Sequence, residues 1–180
     1  MRTGFGITTI MGAIMLTCPL AGMAAGQRIG AGLEYDIALG DIDNGIGGYV
    51  SYEIDLPAPM TLMFEVVYAG GDFDVAAGSG SYGIVGVGGA LLFMHDFDAW
   101  TGYLGAGCHN SFNDFASINY DDKLSMLWIA GARFAIADRL SADVGLRYRT
   151  LRIDSIDKTI EPNPLDADAI LLRVGLVYEL

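Results

Sequence analysis

Side chains that alternate between apolar and polar at every second position run through eight segments of this chain, and this pattern restricts the fold most. Successive side chains of a β-strand point to opposite faces, so the alternation predicts strands with one apolar face. The segments comprise residues 28–37, 47–55, 61–70, 80–94, 99–108, 123–136, 139–149 and 169–180. Most of them have about the 9 to 11 residues that a tilted strand needs to cross a bilayer. The sequence therefore predicts an all-β protein with eight strands.

The two faces of these segments differ in charge. One face is uncharged and carries side chains such as Leu33, Val66, Trp128 and Leu176. The opposite face carries Arg28, Glu34, Glu53, Glu65, Arg133, Asp143, Arg147, Arg149, Arg173 and Glu179. A charge at the lipid midplane costs roughly 2 to 4 kcal/mol, so the uncharged face is expected to contact lipid. The charged face is then expected to line a lumen in which ion pairs join the strands. The segment 80–94 is apolar on both faces and leaves its register open.

The connections alternate in length. Those after the first, third, fifth and seventh segments are long and rich in Asp, Gly, Asn and Ser, whereas the other three are short. Aromatic residues flank both ends, with Tyr35, Tyr68 and Tyr148 near the long loops and Trp100, Phe134 and Tyr178 near the short turns. These features predict an eight-stranded antiparallel up-and-down transmembrane β-barrel. A soluble, lipocalin-like barrel is the alternative, but it would turn its apolar face inward and needs no aromatic girdles.

The first 24 residues have the pattern of a secretory signal peptide. A positive charge at Arg2 precedes an apolar stretch at 7–16, and small residues follow at Gly22, Ala24 and Ala25. This pattern predicts a signal peptide at 1–24 and a barrel domain at 25–180, exported to the outer membrane of a Gram-negative bacterium. Cys18 raises the alternative of a lipoprotein, although the residues before it match a lipobox poorly.

Cysteine content and charge exclude several classes of function. Removal of the signal peptide leaves Cys108 as the sole cysteine, so an intramolecular disulfide cannot hold the chain together. The chain has a formal net charge of −12, which repels nucleic acid. We therefore expect no nucleic-acid partner, and no motif in the sequence calls for a cofactor.

The C-terminus "RVGLVYEL" ends within a predicted strand. Its Arg173, Gly175, Tyr178 and Leu180 resemble the C-terminal signature by which outer-membrane barrels are recognised by the barrel assembly machinery, although the final residue there is usually Phe or Trp. The chain from 25 onward resembles the small outer-membrane barrel family that includes opacity-type surface antigens, with "DRLSADVGLRYRTL" (138–151) as the most similar internal stretch. This resemblance implies an architecture and leaves the activity open.

One segment raises the possibility of catalysis. "CHNSFND" (108–114) places His109 two residues before Ser111, which loosely resembles the His-x-Ser pair of outer-membrane lipid A deacylases. In the predicted register Cys108 faces lipid, so His109 and Ser111 face the mouth of the lumen while acyl chains lie outside. We therefore expect a protein that is not an enzyme, and a lipid A-modifying hydrolase remains the less favoured alternative.

Acidic residues dominate the four predicted long loops. "DIDNG" (41–45) resembles a fragment of a calcium loop but lacks the later ligands, so a solvated turn is favoured and no metal site is predicted. The acidic loop residues are Asp41, Asp43, Asp72, Asp74, Asp114, Asp121, Asp122, Asp154, Asp157, Glu161, Asp166 and Asp168. Beside phosphorylated lipid such loops predict diffuse bridging by Mg²⁺ or Ca²⁺ without a defined site.

The longest loop, 150–167, carries apolar residues beyond the predicted membrane, at Leu151, Ile153, Ile156 and Ile160. Contact with an external ligand or host surface would explain them, as would a hairpin that extends the barrel. The sequence thus predicts a non-enzymatic outer-membrane protein that presents four acidic loops for envelope integrity or adhesion. Its expected partners are outer-membrane lipid and lipopolysaccharide, and a small porin or carrier is the alternative.

Overall fold

The computed structural model describes residues 26–57, 59–75, 78–115, 123–154 and 164–180, so the predicted signal peptide lies outside the described residues. The strands are β1 (Gln27–Ala38), β2 (Ile42–Asp55), β3 (Met60–Val75), β4 (Gly78–Phe97), β5 (Trp100–Phe115), β6 (Lys123–Ala137), β7 (Leu140–Thr150), β8 (Arg152–Ile153), β9 (Leu165–Asp166) and β10 (Ala169–Glu179). No helix long and apolar enough to cross a membrane occurs in this part of the chain.

Eight of these strands form a closed antiparallel barrel in the order β1-β10-β7-β6-β5-β4-β3-β2. The barrel closes between the first and last strands, where Arg28 lies opposite Glu179 and Ala38 opposite Ala169. Closure pairs each of these eight strands on both sides and leaves the barrel without an exposed edge. The predicted eight-stranded antiparallel barrel is confirmed.

The register that the sequence left open in β4 is decided by packing. Tyr82, Ile84, Ala90 and Leu92 point into the barrel and are buried, while Leu91 and Phe93 point outward and are exposed. The inward face of β4 is apolar as well because its side chains belong to apolar clusters in the lumen, Tyr82 and Ile84 with Phe73, and Ala90 and Leu92 with Leu127.

The two ends of the barrel differ. We call the end with the short connections 56–59, 98–99 and 138–139 the turn end, and the opposite end the loop end. The prediction of long connections after the first and third segments is wrong, since β1 and β2 are separated by residues 39–41 and β3 and β4 by residues 76–77. The strands continue because Phe73 points inward and is buried while its neighbours Asp72 and Asp74 are exposed, so their charges keep the strand alternation.

An apolar cluster fills the loop end of the lumen, and we call it the loop-end cluster. It comprises Ile42, Phe73, Tyr82, Ile84, Phe115, Leu151, Ile153, Leu165 and Ala167. A bulge in β2 between Ile42 and Gly45 shifts the register and brings Ile42 into this cluster. The short antiparallel pair β8–β9 contributes Ile153 and Leu165, which are both fully buried.

These positions alter the interpretation of the loop at 150–167. Leu151 and Ile153 pack inside the barrel, so they are not the exposed contact surface that the sequence led us to expect. Ile156 and Ile160 lie outside the described residues. Backbone hydrogen bonds join the first connection to β9 and to the residues after it, from Asp41 N to Asp166 O at 2.7 Å and from Leu39 N to Asp168 O at 2.9 Å. The β8–β9 pair therefore covers the loop end of the lumen.

Candidate functional site

The polar interior of the barrel is the candidate functional site, and Glu65 on β3 lies at its centre. Glu65 is buried and accepts hydrogen bonds from Arg147 on β7 and from Arg173 Nη1 on β10, the latter at 2.8 Å. Arg173 binds Oε2 of Glu65, whereas Arg147 binds Oε1. His109 Nε2 on β5 also lies 2.8 Å from Glu65 Oε1. Arg173 also donates to Glu34 on β1. One carboxylate thus connects three different strands across the lumen.

A second group of ion pairs lies toward the turn end. Arg133 on β6 donates from Nη1 and Nη2 to both oxygens of Glu53 on β2, at 2.8 and 2.6 Å. Its Nε donates to Asp143 at 2.9 Å, and Glu53 also accepts from Arg28 at 3.1 Å. A bidentate guanidinium–carboxylate pair fixes both distance and orientation, so these contacts set the width of the lumen at this level.

Two tyrosines occupy space that inward glycines leave free. The guanidinium carbon of Arg173 lies 4.0 Å from the centre of the Tyr49 ring, and that of Arg133 lies 5.1 Å from the Tyr103 ring. A Cβ atom at Gly32 would stand 2.8 Å from the Tyr49 ring, and one at Gly145 would stand 2.9 Å from the Tyr103 hydroxyl. The glycines therefore allow the rings to lie along the wall, where they cover the cations.

Part of this interior was not predicted from the sequence. Asp36 is fully buried and forms an ion pair of 3.2 Å with Arg149, while the hydroxyls of Tyr49 and Tyr103 donate to Asp143 at 3.5 and 3.2 Å. Each of these residues continues the inward alternation of its strand, so strict parity would have found them. Asp36 lies inside the first predicted segment, 28–37, on the same face as Glu34, but it was left out of the set of interior charges.

Other predicted interior residues lie where the charged face placed them, with one exception. Arg28, Glu34, Glu53, Glu65, Arg133, Asp143, Arg147, Arg149 and Arg173 all take part in ion pairs within the barrel. Glu179 instead is exposed at the rim of the turn end, and no ion pair joins it to another described residue. Near it Tyr178 and Leu180 point outward, and Leu180 N donates to Gln27 O at 2.9 Å, which ties the last residue to β1.

His109 and Ser111 are buried inside the barrel, deeper than the mouth where the sequence analysis placed them. His109 contacts Glu65, and Ser111 Oγ lies 3.3 Å from Ser125 Oγ. The acid near His109 thus comes from β3, and Arg147 and Arg173 already bind it. Both side chains face away from the outer surface of the wall.

The acidic residues predicted for loops are distributed over several elements. Asp43 lies in β2, Asp72 and Asp74 in β3, Asp114 in β5 and Asp166 in β9, whereas Asp121, Asp122, Asp157 and Glu161 lie outside the described residues. Asn44 Oδ1 accepts from Ala38 N at 3.0 Å, within the segment that resembled a calcium loop. In the described ranges no three His, Cys, Asp or Glu side chains converge in a way that could hold a metal ion.

A cavity of 1150 Å³ opens at the turn end. Arg28, Asp55 and Arg133 form part of its wall where it meets the ion pairs, and the three short turns form its rim. Arg28 joins Asp55, and Thr61 Oγ1 donates to Asp55 at 2.8 Å. The lumen therefore runs from an open chamber at the turn end, through buried ion pairs, to the loop-end cluster.

Comparison with solved structures identifies this architecture. Neisserial surface protein A matches with a TM-score of 0.69 and 13% identity over 87% of this chain and 99% of its own. OprG from Pseudomonas aeruginosa matches with a TM-score of 0.66 and 11% identity over 87% of this chain and 97% of its own. Ail from Yersinia pestis, in complex with the heparin analogue sucrose octasulfate, matches with a TM-score of 0.52 and 15% identity over 86% of this chain and 99% of its own.

The chain therefore has the fold of the small eight-stranded outer-membrane β-barrels. No protein-family model and no curated protein sequence matches it. Its similarity to these barrels is one of architecture, since the identities with the three structures lie between 11% and 15%.

Proposed function

We propose that the chain is a non-enzymatic integral protein of the outer membrane of a Gram-negative bacterium, exported by a signal peptide at 1–24, and that it contributes to envelope integrity. The observation that carries this proposal is the filled lumen. Buried ion pairs join strands on opposite sides of the barrel, and the loop-end cluster covers one end. Barrels of eight strands have an interior only just wide enough for side chains. Such a barrel spans the membrane without an open channel.

A porin or carrier fits this interior less well. A solute that entered the turn-end cavity would meet Arg133 and Glu53 joined across the lumen, and beyond them Glu65 with its two arginines. Separating a buried ion pair leaves uncompensated charges and costs roughly 3 to 5 kcal/mol for each pair. A solute that had to separate several ion pairs one after another would cross the lumen slowly.

A hydrolase of lipid A also receives little support. Its nucleophile would have to reach an acyl ester outside the barrel, yet Ser111 and His109 are 1% and 3% exposed and point into the lumen. The carboxylate beside His109 is held by Arg147 and Arg173, so it is committed to the interior network.

Attachment to a polyanion is disfavoured by charge. The heparin analogue bound to Ail is heavily sulfated, whereas the loop end of this chain carries exposed Asp41, Asp43, Asp72 and Asp74. Repulsion between these carboxylates and sulfate groups opposes a similar complex. A partner that binds the loop end is therefore expected to carry positive charge on its contact surface.

Gene deletion tests the proposal. We expect a strain without the protein to become more sensitive to SDS with EDTA and to vancomycin, and the wild-type gene to restore resistance. In planar bilayers the purified protein should give no regular ohmic steps. Unchanged sensitivity after deletion would contradict the integrity function, and ohmic steps that vanish in Arg147→Ala would support a pore instead. A change in the lipid A mass profile in Ser111→Ala cells, but not in Ser125→Ala cells, would support the hydrolase.

A further inference from the structure

A groove on the outer wall of the barrel is not explained by the closed lumen, and we call it the outer groove. It has a volume of 450 Å³ and is lined by Tyr68, Ser81, Tyr82, Gly83, Val85, Phe112, Asn113 and Asp114. Tyr68 on β3 and Phe112 on β5 are 55% and 43% exposed, and the strand between them, β4, places Gly83 at the floor. In the strand register Val85 stands between the two aromatic residues, and Gly83, two positions closer to the loop end, lies between Gly70 and Asp114 with the Tyr68 ring beside it.

The height of this groove points to the class of ligand. Phe112 and Asp114 follow Trp100 along β5 by 12 and 14 positions. At roughly 2.5 Å of rise per residue for a strand tilted by about 40°, they stand roughly 30 and 35 Å above Trp100. The apolar band of such barrels is only about 25 Å tall. The groove therefore lies above the acyl chains, at the level of the lipid headgroups.

The chemistry of the groove favours a neutral sugar at that level. The faces of aromatic rings carry partial negative charge and pack well against the C–H face of a sugar ring. The Asp114 carboxylate is exposed and accepts charge-assisted hydrogen bonds from hydroxyls, but it repels phosphate. The Asp114 carboxylate and the Tyr68 hydroxyl form no hydrogen bond with the side chains and backbone groups of the described segments.

The floor of the groove depends on glycine. A Cβ atom at Gly83 would lie 3.5 Å from the Tyr68 ring, an ordinary contact, so alanine would fit but a larger side chain would displace that ring or fill the groove beside it. The lining combines aromatic side chains with the polar side chains of Ser81 and Asp114, and polar groups of this kind fix the orientation of small ligands in their sites. We propose that the outer groove binds a neutral saccharide ring of an outer-leaflet glycolipid. This assignment rests on the proposed location in the outer membrane.

Titration of the full barrel tests the proposal without relying on a cellular phenotype. The barrel in phosphatidylcholine nanodiscs would be titrated with dephosphorylated core oligosaccharide from lipopolysaccharide, by calorimetry and by NMR saturation transfer from aromatic protons. We expect transfer to the sugar protons, and Gly83→Leu and Asp114→Asn should each weaken binding at least about tenfold, the scale of a lost hydrogen bond to a charged group. Ala106→Leu, which adds three carbon atoms to the exposed face of β5 within the apolar band, should bind like the wild type.

Several outcomes would overturn the assignment. These are the absence of saturation transfer, equal affinity in Gly83→Leu and the wild type, and phosphorylated oligosaccharide that binds more tightly than the dephosphorylated form. Asp114→Asn keeps the shape of the groove, so it tests the carboxylate even if Gly83→Leu fails to assemble. Because this measurement uses purified protein, an absence of saccharide binding would not contradict the envelope-integrity proposal. In turn, a deletion strain with unchanged sensitivity would not contradict saccharide binding in the groove.

Discussion

Arg133 and Glu53 lie on strands that face each other across the barrel, and both terminal nitrogens of the guanidinium bond to both oxygens of the carboxylate. The two residues are 80 positions apart in sequence. Their contact is bidentate and buried, so it connects the β2 and β6 walls directly and excludes a continuous open lumen at that level.

Substitution of Glu53 by Gln should destabilise the barrel. It leaves Arg133 with only Asp143 as a charged partner, and removing one member of a buried ion pair costs roughly 3 to 5 kcal/mol. The measurement is the urea midpoint of unfolding in lipid vesicles. Asp74→Asn, an exposed change on β3, serves as the control and should stay within about 0.5 kcal/mol of the wild type. Equal midpoints for the two variants would show that the interior pairs contribute little.

A charge in the loop-end cluster should open that end of the barrel. Ile153 is fully buried, whereas its neighbour Arg152 is exposed. In Ile153→Asp a carboxylate enters an apolar site at a cost of several kcal/mol, so the β8–β9 pair should detach while the eight long strands persist. Amide hydrogen exchange should accelerate at Asp41 and Asp166, and Arg152→Asp should leave it slow. Slow exchange in both variants would mean that backbone hydrogen bonds hold the β8–β9 pair in place without the apolar packing of Ile153.

Glycines in the wall should differ sharply in their tolerance of alanine. At Gly88 a Cβ atom would lie 2.7 Å from the Cα of His109 on the neighbouring strand, whereas at Gly83 its nearest contact is 3.5 Å. Gly88→Ala should therefore lower the free energy of unfolding by about 1 to 3 kcal/mol, and Gly83→Ala should change it little. Urea unfolding followed by tryptophan fluorescence measures both. An unperturbed Gly88→Ala would imply that the strands separate more easily than their register indicates.

The folded barrel should resist SDS. Its strands are hydrogen-bonded on both sides, so detergent finds no edge at which to begin unfolding. We expect the unboiled protein to migrate differently from the boiled protein in an SDS gel. The same mobility before and after boiling, together with recovery of the protein in the soluble periplasmic fraction, would favour the lipocalin-like alternative.

The charges on one face of the strands were largely predictable from the sequence. Ten interior charges were predicted from the alternation, and nine of them take part in ion pairs, because a lipid-facing wall excludes charge and so separates the faces. Glu179 obeys the same alternation but lies at the open rim, where its side chain is exposed. The extent of β3 was underestimated because Gly and Asp are typical of loops, although above the membrane they also occur in solvated strands.

The partners of the interior residues could not be predicted. Alternation shows that Glu65 and Arg173 share a face, but it does not show that they meet, since that depends on the number of strands, their stagger and the closure between β1 and β10. The same holds for His109, which receives its carboxylate from β3, and for the outer groove, which requires Tyr68, Gly83 and Phe112 on three adjacent strands.

The sequence by itself determined the number of membrane-crossing strands, their antiparallel order and the face that each residue presents, because a period of two is a local property of an extended chain. Only the tertiary structure decided that Leu151 and Ile153 turn inward to cover the loop end and that Arg133 meets Glu53 across the lumen. Those contacts arise between residues far apart in the chain, and their geometry exists only once the barrel has closed.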